Sequence, residues 1–440
     1  MSHVVVIGGG YGGLACAARL AKNGHDVTLL EAGPRLGGAV GFVEQDGFRW
    51  DSGPTHTLLP AVLRDLFRKS GRALVKEVEL VPVEPVARHV FEDGSELDLP
   101  GGSRAAQIEA MDSLGGGLGA SWAAYVDAFA DDWEALRRDW LERPFSAEHA
   151  SKQTRALLST RLTLHKITQK AFKDERLRKV AGYPMELEGH DLRNVPAWMG
   201  MWTYIEQNFG VWTVPGGMGS LADALASRLE TRGVTVLLST PALDLELSGS
   251  RVAGVRTDHG VIDADQVVVA IDPRRLPALA PLVQRTMPVI PPVVCHVGLV
   301  GSVPDLPREV VLHGDPMLVL RTGGQAPAGA HAWTLLGRGK LAEDIVTALQ
   351  RSDIRIRDLV EVRVDRSPRA LVEEWGGSPY GVLWQGRNSV TRRLGPTTPV
   401  PGVYAAGAHA APGSGVPMVG LSAALVAQVI GPAEDRAIRR

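Results

Sequence analysis

Val4-Val5-Val6-Ile7-Gly8-Gly9-Gly10-Tyr11-Gly12-Gly13 carries an apolar run straight into a glycine turn and then into a helical pattern. Gly8 permits the tight turn out of a strand, Gly10 lets the backbone approach a pyrophosphate, and Gly13 lets the helix pack closely on the sheet. The helix that follows points its unpaired amides at the phosphates. A second apolar run, Val27-Thr28-Leu29-Leu30, ends in Glu31, which places a carboxylate at a strand tip where it can accept hydrogen bonds from a ribose diol. A lone G-x-G-x-x-G is weak evidence. Here strand, glycines, helix, second strand and acid follow in order within about thirty residues, the span of one βαβ unit, which favours a dinucleotide site over a bare glycine turn.

The rest of the chain bounds what that site belongs to. At 440 residues it exceeds what one hydrophobic core organises, so two domains are expected. Lys and Arg number 47 against 49 Asp and Glu, a balance that gives no global attraction to nucleic acid. Cys16, inside the first helical pattern, and Cys295, in an apolar run, read as reduced core residues rather than a disulfide or a metal site. No charged leader precedes the first strand and no apolar run is long enough to span a bilayer, so a cytoplasmic protein is expected.

Two later blocks repeat the logic of the first. Val214-Pro215-Gly216-Gly217-Met218-Gly219-Ser220 leads into a helix whose Leu221, Ala224, Leu225 and Leu229 share one face, followed by strand-like runs at 234–238, 242–247, 252–256 and 267–271. Residues 402–407 read as a short strand, and Pro412-Gly413-Ser414-Gly415-Val416-Pro417 leads into a helical 421–430. Between the blocks, about 100–210 reads as mainly helical, and about 286–394 alternates strands such as Val293–Val300 with helices. The chain is therefore expected to leave its first domain and return twice, with residues 1–75, 210–285 and 395–440 in that domain and 76–209 and 286–394 in an inserted one. Gly323-Gly324-Gln325-Ala326-Pro327 reads as a turn between strands, so no second nucleotide unit is expected.

Glu31-Ala32-Gly33-Pro34-Arg35-Leu36-Gly37-Gly38, Gly47-Phe48-Arg49-Trp50-Asp51-Ser52-Gly53-Pro54-Thr55, Gly210-Val211-Trp212-Thr213-Val214-Pro215-Gly216-Gly217 and residues 402–420 together resemble the phytoene desaturase and amine oxidase superfamily of flavin-dependent oxidoreductases. The likeness is nearest to the bacterial phytoene desaturase-like branch and covers almost the whole length. It implies an α/β protein: a Rossmann-type, glutathione-reductase-like domain that binds FAD, with an inserted α+β substrate domain. By that likeness Gly8, Gly10, Gly12 and Gly13 take the pyrophosphate, Glu31 and Ala32 border the adenosine ribose, and Arg35 is a nearby cation. Gly37 and Gly38 bring the backbone past the cofactor, Gly53, Pro54, Thr55 and His56 pass beside the flavin ring, and the Ala242 backbone meets adenine. Gly407 approaches from the far side, and Pro417, Met418 and Val419 open a helix whose dipole favours the negative charge of reduced flavin. One departure is Ala39, where most relatives carry Arg.

The chemistry expected is hydride transfer from a hydrophobic small molecule or secondary metabolite to flavin, a desaturation, with oxygen or a quinone as electron acceptor. Amine oxidation with oxygen, reduced-flavin isomerisation or saturation, and a non-enzymatic flavin-binding partner protein are the rival readings. His56, Glu206 and His409 are candidates for orienting substrate or moving a proton, each against a plain structural role. Trp198, Trp202, Tyr204 and Trp212 are candidate substrate contacts. Trp122, Tyr125, Phe129, Trp133, Leu136 and Trp140 recur at helical spacing; core packing is preferred for most of them, with the wall of an apolar tunnel as the functional alternative. Residues 151–180 hold nine Lys and Arg interleaved with apolar residues. One amphipathic basic helix there fits peripheral contact with an anionic membrane, although a solvated charged face is the commoner outcome. The oligomeric state is left open.

Overall fold

The computed structural model describes residues 2–433; residue 1 and residues 434–440, at the two ends of the expected first domain, lie outside the described residues. The opening strand sits in the middle of a five-stranded parallel sheet, in the spatial order Val403–Ala405, Gln266–Val269, His3–Ile7, Asp26–Leu30, Thr235–Leu237. A parallel sheet is covered on both faces, which is why its strands read as continuous apolar runs. Val4 and Val6 face the helices Tyr11–Lys22, Ser220–Thr231 and Val416–Ile430. Val5 and Ile7 face the three antiparallel strands Ala242–Ser248, Arg251–Thr257 and Gly260–Asp263. The sheet thus draws its strands from three separate stretches of chain.

Close approach of the first helix to the first strand depends on Gly13. A Cβ there would lie 1.8 Å from the Gly8 carbonyl oxygen. Gly13→Ala must push the helix off the sheet, and overpacking of this kind costs about 1–3 kcal/mol. A thermal midpoint lower by several degrees is expected in the flavin-free protein, and an unchanged midpoint would remove this account of Gly13.

The second sheet has seven strands, in the order Val360–Arg366, Val293–Val300, Ala330–Arg338, Met317–Arg321, Glu309–Leu312, Ala87–Val90, Glu96–Leu99, antiparallel except where Glu309–Leu312 meets Ala87–Val90. Residues 323–327 form the turn between two of these strands, as the sequence suggests. A hairpin, Phe42–Gln45 with Phe48–Asp51, ties this sheet to the first: Phe48 packs on Gly298 and the Trp50 indole donates to the Val297 carbonyl at 3.2 Å. The segment that follows the hairpin, Ser52 to His56, is thereby held between the two sheets.

Residues 104–209 are mainly helical. The aromatic stripe is carried by two helices, Leu118–Asp127 and Ala130–Leu136, and a π turn at Arg137–Leu141. All six of its residues are buried in one core cluster with Phe172, Leu177 and Trp198, so packing accounts for most of them. The single basic helix expected over 151–180 does not form. The segment divides into Lys152–Leu158, Leu164–Ala171 and a helix that starts at Glu175. Thr163 and Asp174 cap new helix starts with their side chains, and Phe172 leaves helical geometry to enter the core. Arg176 and Lys179 turn to Asp174 and Glu92, and Arg178 to the Phe172 and Lys173 carbonyls, so the cations do not share one face. Among the described residues no helix is long and apolar enough to cross a membrane.

Candidate active site

A cavity of about 1110 Å³ runs from the glycine turn, across the strand ends of the parallel sheet, to the helical block and the face of the seven-stranded sheet. At its outer end Gly8, Gly10 and Gly12 border it, while Gly13 does not: the helix packing that requires Gly13 also hides it from any ligand. Gly10 is the N-cap of the first helix, and Leu14 is bonded back to its carbonyl at 2.9 Å. The helix's earliest amides therefore lack intrahelical acceptors and open on the cavity. A Cβ on Gly10 would meet nothing within 4 Å, whereas one on Gly12 would come within 3.0 Å of the Gly407 Cα. The space in front of Gly10 is a cradle that a side chain would fill.

Glu31 stands at the tip of the second strand. Its two oxygens accept from the Gly9 amide at 2.6 Å and the Gly33 amide at 2.7 Å, which fixes the carboxylate while each oxygen keeps further acceptor capacity. Ala32, Arg35, Gly37, Gly38 and Ala242 border the same region, and the Gly37 amide donates to the Gly9 carbonyl at 2.8 Å.

Gly53, Pro54, Thr55 and His56 line the middle of the cavity on one side, with Gly407, Pro417, Met418 and Val419 on the other. Ala39 also borders it, and its carbonyl accepts from the Ser52 hydroxyl at 3.1 Å. With only a methyl group at position 39, the irregular 52–56 segment lies close over the loop after Gly38, and a Cβ on Gly53 would come within 2.4 Å of the Ala39 carbonyl oxygen. His409 lines this region too. Its Nε2 bonds the Ser378 carbonyl at 3.0 Å and its Nδ1 lies 3.7 Å from Asp272, and burial, only partly opposed by Asp272, holds the imidazole below its usual range. It joins two loops at the cavity wall.

The inner end is built from one helical face and two strand ends. Trp198, Trp202 and Glu206 follow at four-residue steps and all border the cavity. Trp140 and Trp384 flank Trp198 edge-on, with ring centroids 5.3 and 5.4 Å away. Of the aromatic stripe, Trp122 and Trp140 also reach the cavity. Two expected substrate contacts are corrected. Tyr204 lies two residues from both Trp202 and Glu206, so the helix turns it to the opposite side, against the core. Trp212 sits on a short strand away from the cavity, its indole tied to the Phe209 carbonyl at 2.7 Å.

The structure adds residues that the sequence did not single out. Glu309 and Arg321 are register partners on adjacent strands, Glu309 buried and Arg321 nearly so, and bond at 2.8 Å. The Tyr183 hydroxyl lies 3.4 Å from Glu309, and Arg321 reaches the Gly53 carbonyl at 3.4 Å. Burial alone would raise the Glu309 carboxyl, but the charge and hydrogen bond of Arg321 hold it below its usual range. Burial pushes Glu206 up to about 8, and the Glu309 carboxylate adds to the rise. Burial also lowers His56, which is therefore neutral near pH 7. His296 borders the cavity while its neighbour Cys295 points into the core behind the sheet, as adjacent strand residues must.

A family model described as flavin containing amine oxidoreductase matches residues 11–431. The chain is 30% identical to a hydroxyneurosporene desaturase of Cereibacter sphaeroides, over 97% of each chain. It is 27% identical to a 4,4'-diapolycopene oxygenase of a Methylomonas species, over 96% of this chain and 97% of that one. The structure of putrescine oxidase bound to putrescine superposes with a TM-score of 0.70 at 17% identity, covering 98% of both chains. Cyclohexylamine oxidase from Brevibacterium oxydans gives 0.67 at 17% identity, covering 98% of this chain and 99% of that one, and at such identity the likeness is one of fold. By the extent of the family match and the dinucleotide cradle at its start, the chain belongs to the flavin-containing amine oxidoreductases.

Proposed function

We propose that the protein is an FAD-dependent dehydrogenase that desaturates a hydrophobic small molecule. The observation that carries this reading is the continuity of the cavity. One space joins a glycine-lined phosphate cradle to an indole-walled compartment, and the two meet between Gly53–His56 and Pro417–Met418. The residues fit FAD. Gly10 would leave room for the pyrophosphate, Glu31 would present a fixed acceptor to the ribose, and the N-terminus of the helix that opens at Val416 would offer its positive dipole end to the ring. When bound, FAD supplies the hydride acceptor. The chain's own part is to hold a lipophilic molecule against the ring between Trp198, Trp202 and Trp140, to exclude water, and to offer the neutral His56 imidazole to a proton that leaves the substrate. Oxygen or a quinone is the proposed electron acceptor.

Purified protein is expected to be yellow, to release FAD identified by mass, and to lose its visible absorbance anaerobically when mixed with a lipophilic polyene. A colourless protein that takes up no FAD would overturn the cofactor assignment. Bleaching by aliphatic amines but not by polyenes, with peroxide formed in air, would replace desaturation by amine oxidation.

A further inference from the structure

The inner compartment is apolar along Trp140, Trp198, Trp202 and Met199, but its wall changes character at Glu206. There the cavity meets a compact polar cluster: the Glu309–Arg321 ion pair, the Tyr183 hydroxyl 3.4 Å from Glu309, and His56. Arg321 also touches the Gly53 carbonyl, so the cluster lies at the part of the cavity that the flavin ring would share. Of its two carboxyl groups only Glu206 lacks a partner. Glu309 has Arg321, whereas the Glu206 carboxyl is shaped by burial and the Glu309 charge alone, with no hydrogen bond to it from the described residues. Its remaining exposure is to the cavity.

We propose that this polar end binds a hydroxyl or carbonyl oxygen carried by an otherwise lipophilic substrate, with the Glu206 carboxyl group donating the hydrogen bond. The proposal rests on the dehydrogenase reading and narrows its substrate class. A pure hydrocarbon would seal Glu206, Tyr183 and the ion pair against CH groups, and a polar site left unpaired discriminates strongly against the ligand that cannot satisfy it. An ammonium group is a poorer match, because Arg321 already balances Glu309 and nothing in the cluster calls for a second cation. Glu206 is held as the neutral acid that donation requires, since burial and the Glu309 charge both raise it, to about 8. The titratable groups coupled to it are Glu309 from the sheet and Tyr183 from the neighbouring helix, and Arg321 and His56 act in turn on Glu309. As pH rises through about 8 Glu206 ionises and stops donating, so recognition of a carbonyl should be present below that pH and fade above it.

The test uses the FAD-loaded protein and three probes of one length, farnesene, farnesol and farnesal, with farnesylamine as a fourth. Binding is read from the perturbation of the flavin spectrum at pH 7 and pH 9. Farnesol and farnesal are expected to bind about tenfold tighter than farnesene at pH 7, with the farnesal advantage reduced at pH 9. Glu206→Gln, whose amide still donates, should keep the selectivity and lose its pH dependence. Glu206→Leu should lose the selectivity, with farnesal bound more weakly and farnesene bound more tightly than in the parent protein. Equal affinities for hydrocarbon and oxygenated probes, a preference for farnesylamine, or selectivity that survives in Glu206→Leu would each overturn the proposal. Where Glu206→Leu does not fold, a wild-type advantage for farnesal that is the same at both pH values overturns it. Failure of the broader reading looks different: no probe perturbs or bleaches the flavin at all.

Discussion

Gly10→Ala is expected to leave the protein folded and to remove most of its affinity for flavin. The backbone at Gly10 is extended, with φ of −69°, a conformation that alanine adopts without strain. The new Cβ would meet no protein atom within 4 Å. Gly10 is also a helix N-cap, where alanine is the weaker residue, so stability should fall by no more than about 1 kcal/mol. On the proposed FAD reading the added carbon enters the space that the pyrophosphate would take, and a dissociation constant raised at least about 100-fold, roughly 2.7 kcal/mol, is expected. The measurements are flavin content after purification and titration of the stripped protein with FAD. Gly13→Ala is the instructive contrast, since its Cβ strikes the Gly8 carbonyl and should damage folding before binding. A Gly10→Ala protein with full, tightly held flavin would mean that the phosphates lie elsewhere.

That contrast shows what could be read from the chain alone. Val4 to Gly13 and Glu31 are local: the strand, the turn, the helix and the acid are contiguous, and the order of residue types carries the geometry. The same holds for the later helix starts at Ser220 and Val416, and for Cys295 and His296, whose opposite facing follows from strand geometry. The inner end of the cavity is not local. Glu309 and Arg321 stand at the outer ends of two short strands, and they meet only because the hairpin places them in register. Opposite charges bounding Val310-Val311-Leu312 and Met317-Leu318-Val319-Leu320 were a usable signal, but only once both runs are read as paired strands. Tyr204 failed for a different reason. Trp198 and Trp202 already define a helical face, and a residue two positions further cannot belong to it. The basic stretch failed because nine cations in thirty residues reveal charge but not caps; Thr163 and Asp174, both helix starters, were the residues to weigh.

The second large effect is expected at Arg321. Arg321→Met keeps the side-chain volume but leaves Glu309 as a buried charge without its partner. Removing one member of a buried pair costs about 3–5 kcal/mol, more than the pair itself contributes relative to a neutral replacement. Restoring neutrality should therefore recover most of the loss, and Glu309→Gln combined with Arg321→Met is expected to be more stable than Arg321→Met alone. The pH dependence fixes the sign. In the native protein Glu309 is held below its ordinary range, so its contribution is present above the unfolded carboxyl value and is lost as pH falls through the lower folded one. In the variant burial is opposed mainly by the long Tyr183 hydrogen bond, Glu309 rises, and the penalty is largest at neutral pH and disappears as acid protonates the carboxyl. The gap between the two proteins should thus be widest near pH 7 and narrow towards pH 5, measured by denaturant unfolding of the flavin-free forms. A gap that is constant across that range, or a double variant no better than the single, would mean that Arg321 acts through packing. Because Arg321 also contacts the Gly53 carbonyl, the single variant should disturb the flavin spectrum as well, and the double variant should not restore it. Stability and spectrum thus separate two roles of one guanidinium: compensating Glu309, and holding the Gly53 segment that is proposed to border the ring.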